Sequence, residues 1–336
     1  MHRWVEWAES WPRGAHPVGM LPIERVIRLR GFFLRRRDLL AIGFTDGTIR
    51  RALRDRRVFR VRQGWYSVPG APSTGVLAIR VGGRLTSFSA LEDLGLRVPR
   101  QPNIHVAVKP TASRLRRSTD RRARLLSGDP VTVHWTSTGV GGTPWRVSVA
   151  EALAAILATQ SRDVAIACCG AALRHKKISR AALAAVFAAA PRHAQRWAAL
   201  PSALDDSHGE TFMRLWLMDA GVPCEQQVYV RGVGHLDFRL SPNSYVEVDG
   251  GQHDPRWTGD SPSSWESDHD RDTTVRIDGG CTQRFTYRQL YGDWPRVLAA
   301  IERAIADDVA LMAYRRRHPY RPVKRKRRRI ASKSGP

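Results

Sequence analysis

The sequence predicts a multi-domain protein of mixed α/β (α+β) class, and three stretches carry that prediction. Residues 23–68 run helix, turn, basic helix and short hairpin. Residues 149–189 hold alanine-rich helical patterns. Residues 208–306 alternate helix and strand in the order α-β-β-β-α-β-α. A length of 336 residues suits two or three domains. The boundaries follow shifts in composition: a leader at 1–19, domains at 20–72, 73–204 and 205–308, and a basic tail at 309–336, expected to be disordered.

Composition narrows the partners. Hydrophobic residues make up 42% of the chain, enough for packed cores, while the formal net charge is +24. That excess implies a polyanionic partner, with nucleic acid the default. An anionic membrane surface is the rival, but no apolar run approaches the ~20 residues that span a bilayer. None of the four cysteines, Cys168, Cys169, Cys224 and Cys281, forms a CxxC pair, which argues against structural zinc. No basic segment followed by an apolar one opens the chain, so the expected location is the cytoplasm, in association with the nucleoid.

The leader carries Trp4, Trp7 and Trp11 without a clear period, and Met20 is a candidate start. Ile23–Arg30 is expected to be a helix, with Ile23, Val26 and Ile27 on one face. A short second helix covers Asp38–Ile42 and ends at Gly43. Thr45 or Asp46 can cap a third, which turns Ile49, Ala52 and Leu53 inward and Arg50, Arg51 and Arg54 outward. Val58–Val61 and Trp65–Val68 are short strands joined at Gln63–Gly64. This is the order of a winged helix-turn-helix.

The middle domain is mixed and mostly helical. Leu85–Leu94 reads as a helix stopped by Gly95, and Asn103–Lys109 alternates as a strand. Arg114–Arg124 is a basic loop or helix suited to phosphate contacts. Val149–Ala158, Ala165–Leu173 and Ser179–Ala189 are helices whose alanines allow close packing. Nothing there signals catalysis.

The third domain opens with a helix over His208–Asp219, stopped by Gly221. Strands are expected at Val228–Val230, Leu236–Leu240 and Tyr245–Asp249, the last two joined by the turn Ser241-Pro242-Asn243. A charged helix over Glu266–Asp278, a strand at Thr282–Phe285 and a helix over Trp294–Ala306 complete it.

Chemistry concentrates on the hairpin Leu236–Asp249. Side chains alternate between the faces of a strand. Leu236, Phe238 and Leu240 therefore share one face with Val246 and Val248, and Asp237, Glu247 and Asp249 converge on the other. Three carboxylates so close repel one another unless something positive lies between them. A hard divalent cation is one resolution, and salt bridges to the chain's many arginines are the other. Glu210 fits the capping box Ser207-x-x-Glu210, yet it shares a helical face with Met213 and Leu217. His253 is a ligand or proton donor, or an exposed loop residue. Asp268, Arg271 and Asp272 lie on the charged helix, where a solvated charge face is the plainer role.

These residues also carry a resemblance. Ser207…Glu210, Gly234-His-Leu-Asp237-Phe, Val246-Glu247-Val-Asp249-Gly-x-x-His253, Asp268-x-x-Arg271-Asp272 and Gly280…Arg284-Phe285 together resemble a bacterial family of domains of unknown function. Those domains look like the very-short-patch-repair endonuclease of the PD-(D/E)XK superfamily. The resemblance implies a restriction-endonuclease-like sheet flanked by helices and a Mg²⁺- or Mn²⁺-dependent phosphodiester hydrolase. Asp237 and Glu247 would be its metal ligands, and Glu210 the helix acid completing the site. His253 or Asp249 would position the water, and Arg271 or Arg284 would neutralise the scissile phosphate. Superfamily members carry a lysine two residues after the second acid. Here that position is Asp249, and the repair endonucleases also lack the lysine.

The front of the chain, Leu39–Leu40–Ala41…Thr48–Ile49–Arg50–Arg51…Val58-x-Arg60–Val61–Arg62-x-Gly64-x-Tyr66-x-Val68–Pro69–Gly70, resembles the winged-helix domain of AbiEi-type antitoxins of toxin–antitoxin systems. The resemblance implies DNA recognition, with Arg50, Arg51, Arg54, Arg62 and Gln63 at the interface, and a protein partner from a toxin–antitoxin or defence system. Two other readings stand beside the nuclease: a DNA-binding regulator whose nuclease-like domain does not cut, and a protein that acts on RNA.

Overall fold

The computed structural model describes residues 21–136, 139, 141–249, 271–277 and 279–318. The chain is a mixed α/β protein with several small sheets, and it divides between Thr211 and Phe212 into two compact units.

In the first unit, α1 (Ile23–Leu29) buries Ile23, Val26 and Ile27. Gly31 and Phe32, both at positive φ (86° and 70°), turn the chain into β1 (Phe33–Arg35). At the start of α2 (Arg36–Ala41), the Asp38 carboxylate accepts the Arg35 N–H at 3.2 Å. α3 (Asp46–Arg54) is capped by Thr45, whose Oγ1 accepts the Thr48 N–H at 3.1 Å. Ile49 and Ala52 face inward, and Arg50, Arg51 and Arg54 are exposed. β2 (Phe59–Arg62) and β3 (Trp65–Ser67) flank Gly64, whose φ of 76° suits the tight connection. With β1 they form an antiparallel sheet in the order β1-β3-β2. Leu39, Ile49, Val58, Tyr66 and Val68 close one core with α1.

The same unit continues with α4 (Ser73–Val81), β4 (Arg84–Leu85), α5 (Ser87–Asp93), β5 (Ile104–Val108) and β6 (Val131–Trp135). β5 is central, antiparallel to β4 and parallel to β6. The connection between the two parallel strands contains the basic stretch 114–124. Four helices follow: α6 (Val149–Thr159), α7 (Arg162–Arg174), α8 (Arg180–Ala188) and α9 (Arg192–Gln195). Ser148 and Glu151 form a reciprocal capping box at the start of α6. Cys168 and Cys169 are fully buried in α7, and burial raises both thiols, Cys169 to about 12. Neither can serve as a thiolate near neutral pH. Gly170 is required by its neighbour, since a Cβ there would come within 2.7 Å of the Ser202 carbonyl.

The division between units falls within α10 (His208–Asp219). The second unit holds β7 (Glu225–Val230), β8 (Gly234–Ser241), β9 (Ser244–Asp249) and β10 (Cys281–Thr286), with α11 (Tyr287–Gly292) and α12 (Trp294–Arg317). The sheet order is β10-β9-β8-β7; β7, β8 and β9 are antiparallel, and β10 runs parallel to β9. Of the expected charged helix, 271–277 is described and helical. Its Val275 packs with Val233 and Leu236. Asp308, on α12, is buried and ties the helix to the β8–β9 turn: its carboxylate accepts from Ser241 Oγ at 2.6 Å, Asn243 N at 3.0 Å and Asn243 Nδ2 at 3.0 Å.

One expected boundary shifts. Residues 309–317, placed in a disordered tail, are the last turns of α12. Asp307 and Asp308 interrupt the apolar pattern near Ala306, but Asp308 points into the turn and the helix continues. The leader 1–19, the run 324–329, Asp268 and His253 lie outside the described residues.

Candidate functional site

On the first unit a basic face forms around α3. A helix with a buried stripe of Ile49 and Ala52 must turn the intervening positions to solvent. Arg50, Arg51 and Arg54 occupy them, and none forms an ion pair among the described residues. Gln63 is exposed at the tip of the β2–β3 hairpin. The Arg35 guanidinium lies 4.8 Å from the Trp65 ring centroid, and Arg60 lies 5.8 Å from that of Tyr66. Arg36, Arg50, Arg60, Gln63 and Tyr66 line a shallow recess of about 500 Å³ between helix and hairpin.

Arg62, expected at this interface, is engaged elsewhere. Its guanidinium donates to the carbonyls of Arg114 at 2.9 Å and Ile79 at 3.4 Å, and burial lowers its pKa. Gly82 makes room for it, since a Cβ there would overlap the guanidinium.

On the second unit the alternation expected for β8 and β9 is observed. Leu236, Phe238 and Leu240 are buried, and Asp237 is half-buried on the other face. Phe238 pairs with Val246, so one step along the antiparallel ladder sets Asp237 opposite Glu247, side by side on one face. The Asp237 carboxylate accepts the Val248 N–H at 2.8 Å, which fixes it at the sheet surface.

Glu247 is only 6% exposed, so its charge needs compensation. Two arginines supply it. Arg271 Nη2 donates to Oε1 at 2.9 Å and to the His235 carbonyl at 2.7 Å, while its Nε donates to the Val233 carbonyl at 3.1 Å. Arg284 pairs with Glu247 in the parallel β9–β10 register, and its Nη2 lies 2.5 Å from Oε2. That contact is an ion pair without hydrogen-bond alignment. Arg284 also approaches Asp249 at 3.6 Å and takes both oxygens of Asp272 at 3.2 Å. Arg284 is thus shared by three acids, a role its sequence position alone conceals. Knowing that β10 runs parallel to β9 would have revealed it.

Asp237, Glu247 and Asp249 are hard oxygen donors, the chemical type that Mg²⁺ and Mn²⁺ prefer. Among the described residues, however, no group of three or more His, Cys, Asp or Glu side chains is gathered to hold a metal. Arginines provide the positive charge between these carboxylates, as the second resolution anticipated. Donor type therefore fits a divalent cation, and ligation by Glu247 requires Arg284 to turn away.

Glu210 belongs to the first unit and closes the start of α10. Its Oε2 accepts the Asp206 N–H at 2.8 Å, and its own N–H donates to Ser207 Oγ at 3.1 Å. This is the capping role, displaced by one residue at its far end.

No protein-family model matches the chain, and no curated protein matches it. Among the described residues no helix is long and apolar enough to cross a membrane.

Proposed function

We propose that this chain binds duplex DNA through α3 and the β2–β3 hairpin, and hydrolyses phosphodiester bonds at Asp237 and Glu247 with Mg²⁺ or Mn²⁺. The observation that carries the reading is the paired placement of these two carboxylates on one sheet face with two arginines against them. Arg50, Arg51 and Arg54 contact phosphates or guanines in the major groove, and Gln63 reaches the neighbouring backbone. A bound divalent cation supplies an activated water and stabilises charge on the phosphorus. Asp237 and Glu247 would hold it. Arg284 and Arg271 exchange Glu247 for the scissile phosphate, whose geometry suits a guanidinium fork. Asp249 orients the attacking water, and His253 does so by resemblance.

A DNA-binding regulator with a silent second unit is the other reading, favoured by the closed carboxylate–arginine network around Glu247. In it, a toxin-system protein is a natural partner. The two are separated by mixing the purified full chain with supercoiled plasmid, with DNA from its own promoter and with RNA of equal length. Metal-dependent nicking of the plasmid supports hydrolysis. Tight promoter binding without cutting under either metal supports the regulator, and a preference for the RNA overturns both.

A further inference from the structure

Residues 114–125 carry six arginines and one acid, Asp120, and the structure folds them into a hairpin. Arg116 and Arg124 form an antiparallel bridge, Arg117 N–H donates to the Ala123 carbonyl at 3.1 Å, and Leu125 N–H to that of Leu115 at 3.3 Å. Asp120 turns the tip by accepting the Arg122 N–H at 2.8 Å.

Three arginines fasten this hairpin to β2 and α4 through backbone carbonyls. Arg62, on β2, donates to the Arg114 carbonyl at 2.9 Å. Arg121 donates back to the Arg60 carbonyl at 3.2 Å. Arg80, on α4, reaches the carbonyls of Ser118 at 3.4 Å and Thr119 at 3.3 Å. A guanidinium spent on a carbonyl neutralises no charge, so the arginines of the clamp keep the region positive while fixing its shape. Arg114, Arg122 and Arg124 are left exposed, with no ion pair among the described residues. The surface is continuous with the α3 face: Leu53, Arg56, Arg60 and Arg121 line one recess, and Leu53 and Arg60 also line the neighbouring recess that holds Arg50 and Gln63.

The geometry points to this hairpin as a second phosphate-contacting element, which lengthens the duplex-DNA footprint beyond the winged helix. Arg114, Arg122 and Arg124 meet the phosphates, and Arg62 is the positioning residue that holds the hairpin against the wing. The inference rests on the DNA-binding reading. It needs no base recognition, since phosphate contacts position a protein on the duplex without reading its sequence.

The test is the salt dependence of binding by the full chain to a 30-base-pair duplex. Each lost phosphate contact lowers the slope of log K against log salt by about 0.9. The triple variant R114A/R122A/R124A should lose about 2.7 from the slope, so its affinity should fall about 40-fold less than the wild type's between 50 and 200 mM salt. Hydroxyl-radical protection should shorten at one end of the footprint. R62M keeps all three exposed arginines but unties the hairpin; it should shorten the same end, and R62K should restore part of it. R180A/R192A/R196A, at α8 and at the two ends of α9, should change nothing. A triple variant with wild-type slope and footprint, or an equal loss in that control, overturns the hairpin's role while leaving the winged-helix reading in place. A wild-type chain that binds no duplex removes both.

Discussion

Replacing Arg284 with methionine tests what holds the acidic face together. The Arg284 side chain is 21% exposed and that of Glu247 only 8%, so this ion pair is poorly screened. Removing one partner of a buried pair costs about 3–5 kcal/mol, because the survivor is left uncompensated. Arg271 still holds Glu247 Oε1, which places the expected loss near the lower end, at about 3 kcal/mol. Asp272, 39% exposed, adds little. The assay is urea unfolding of the full chain at neutral pH, followed in the transition of the second unit, which contains Trp216 and Trp294. E247Q alone should also destabilise, and R284M/E247Q should be more stable than the two losses added together, with a coupling of about 1–3 kcal/mol. Mg²⁺ should then restore R284M more than it raises the wild type, by up to about 2.7 kcal/mol at one hundred times its dissociation constant. A loss under about 1 kcal/mol, or strict additivity, would refute the reasoning.

Other consequences follow from the fold. D308A removes three hydrogen bonds to a buried carboxylate and should cost about 2–4 kcal/mol in urea unfolding; a wild-type midpoint would show that α12 is not anchored there. Burial opposes ionisation of Asp308, but hydrogen bonds from Ser241 and Asn243 outweigh it and lower the pKa. Its stabilisation is therefore present above the unfolded-state value near 4 and lost as pH falls through the folded value, and D308A should flatten that acid limb. His105 behaves differently. Burial and then the neighbouring His134, whose Nε2 lies 2.9 Å from its Nδ1, lower it to about 4. The unfolded chain takes up the proton first, so stability present above pH ~6.5 should fall toward pH 4 by on the order of 3 kcal/mol. H105L should reduce that slope between pH 6.5 and 4.5, and an unchanged slope would assign it to other groups.

Most helices of the first unit were legible because their buried stripes came with a recognisable stop or cap, as with Thr45 before α3 and Gly95 after α5. β1 was not, since three residues wedged between helices give no period to read. α4 was missed because its buried positions, Ala78, Ile79 and Val81, find their core only in the folded unit. β6 was missed because its pairing with β5 is long-range, across the basic hairpin. On the acidic face, alternation alone placed Asp237 beside Glu247. The compensating charges were visible only as residue types: no local signal says that Arg284 pairs with Glu247 until the parallel strand order is known. Arg62 shows the same limit in reverse, because an arginine on a hairpin strand beside a basic helix reads as a nucleic-acid contact until its carbonyl partners, 17 and 52 residues away, are in place.

The most direct test of the central claim measures binding and cutting on the same preparation. Wild-type chain and D237A/E247A are each titrated onto labelled duplex and then incubated with supercoiled plasmid, without metal and with Mg²⁺ or Mn²⁺. Hydrolysis at the proposed acids predicts equal affinity for both proteins and metal-dependent nicked or linear product from the wild type only. Equal nicking by both proteins, or none by a wild type that binds the duplex normally, would contradict it.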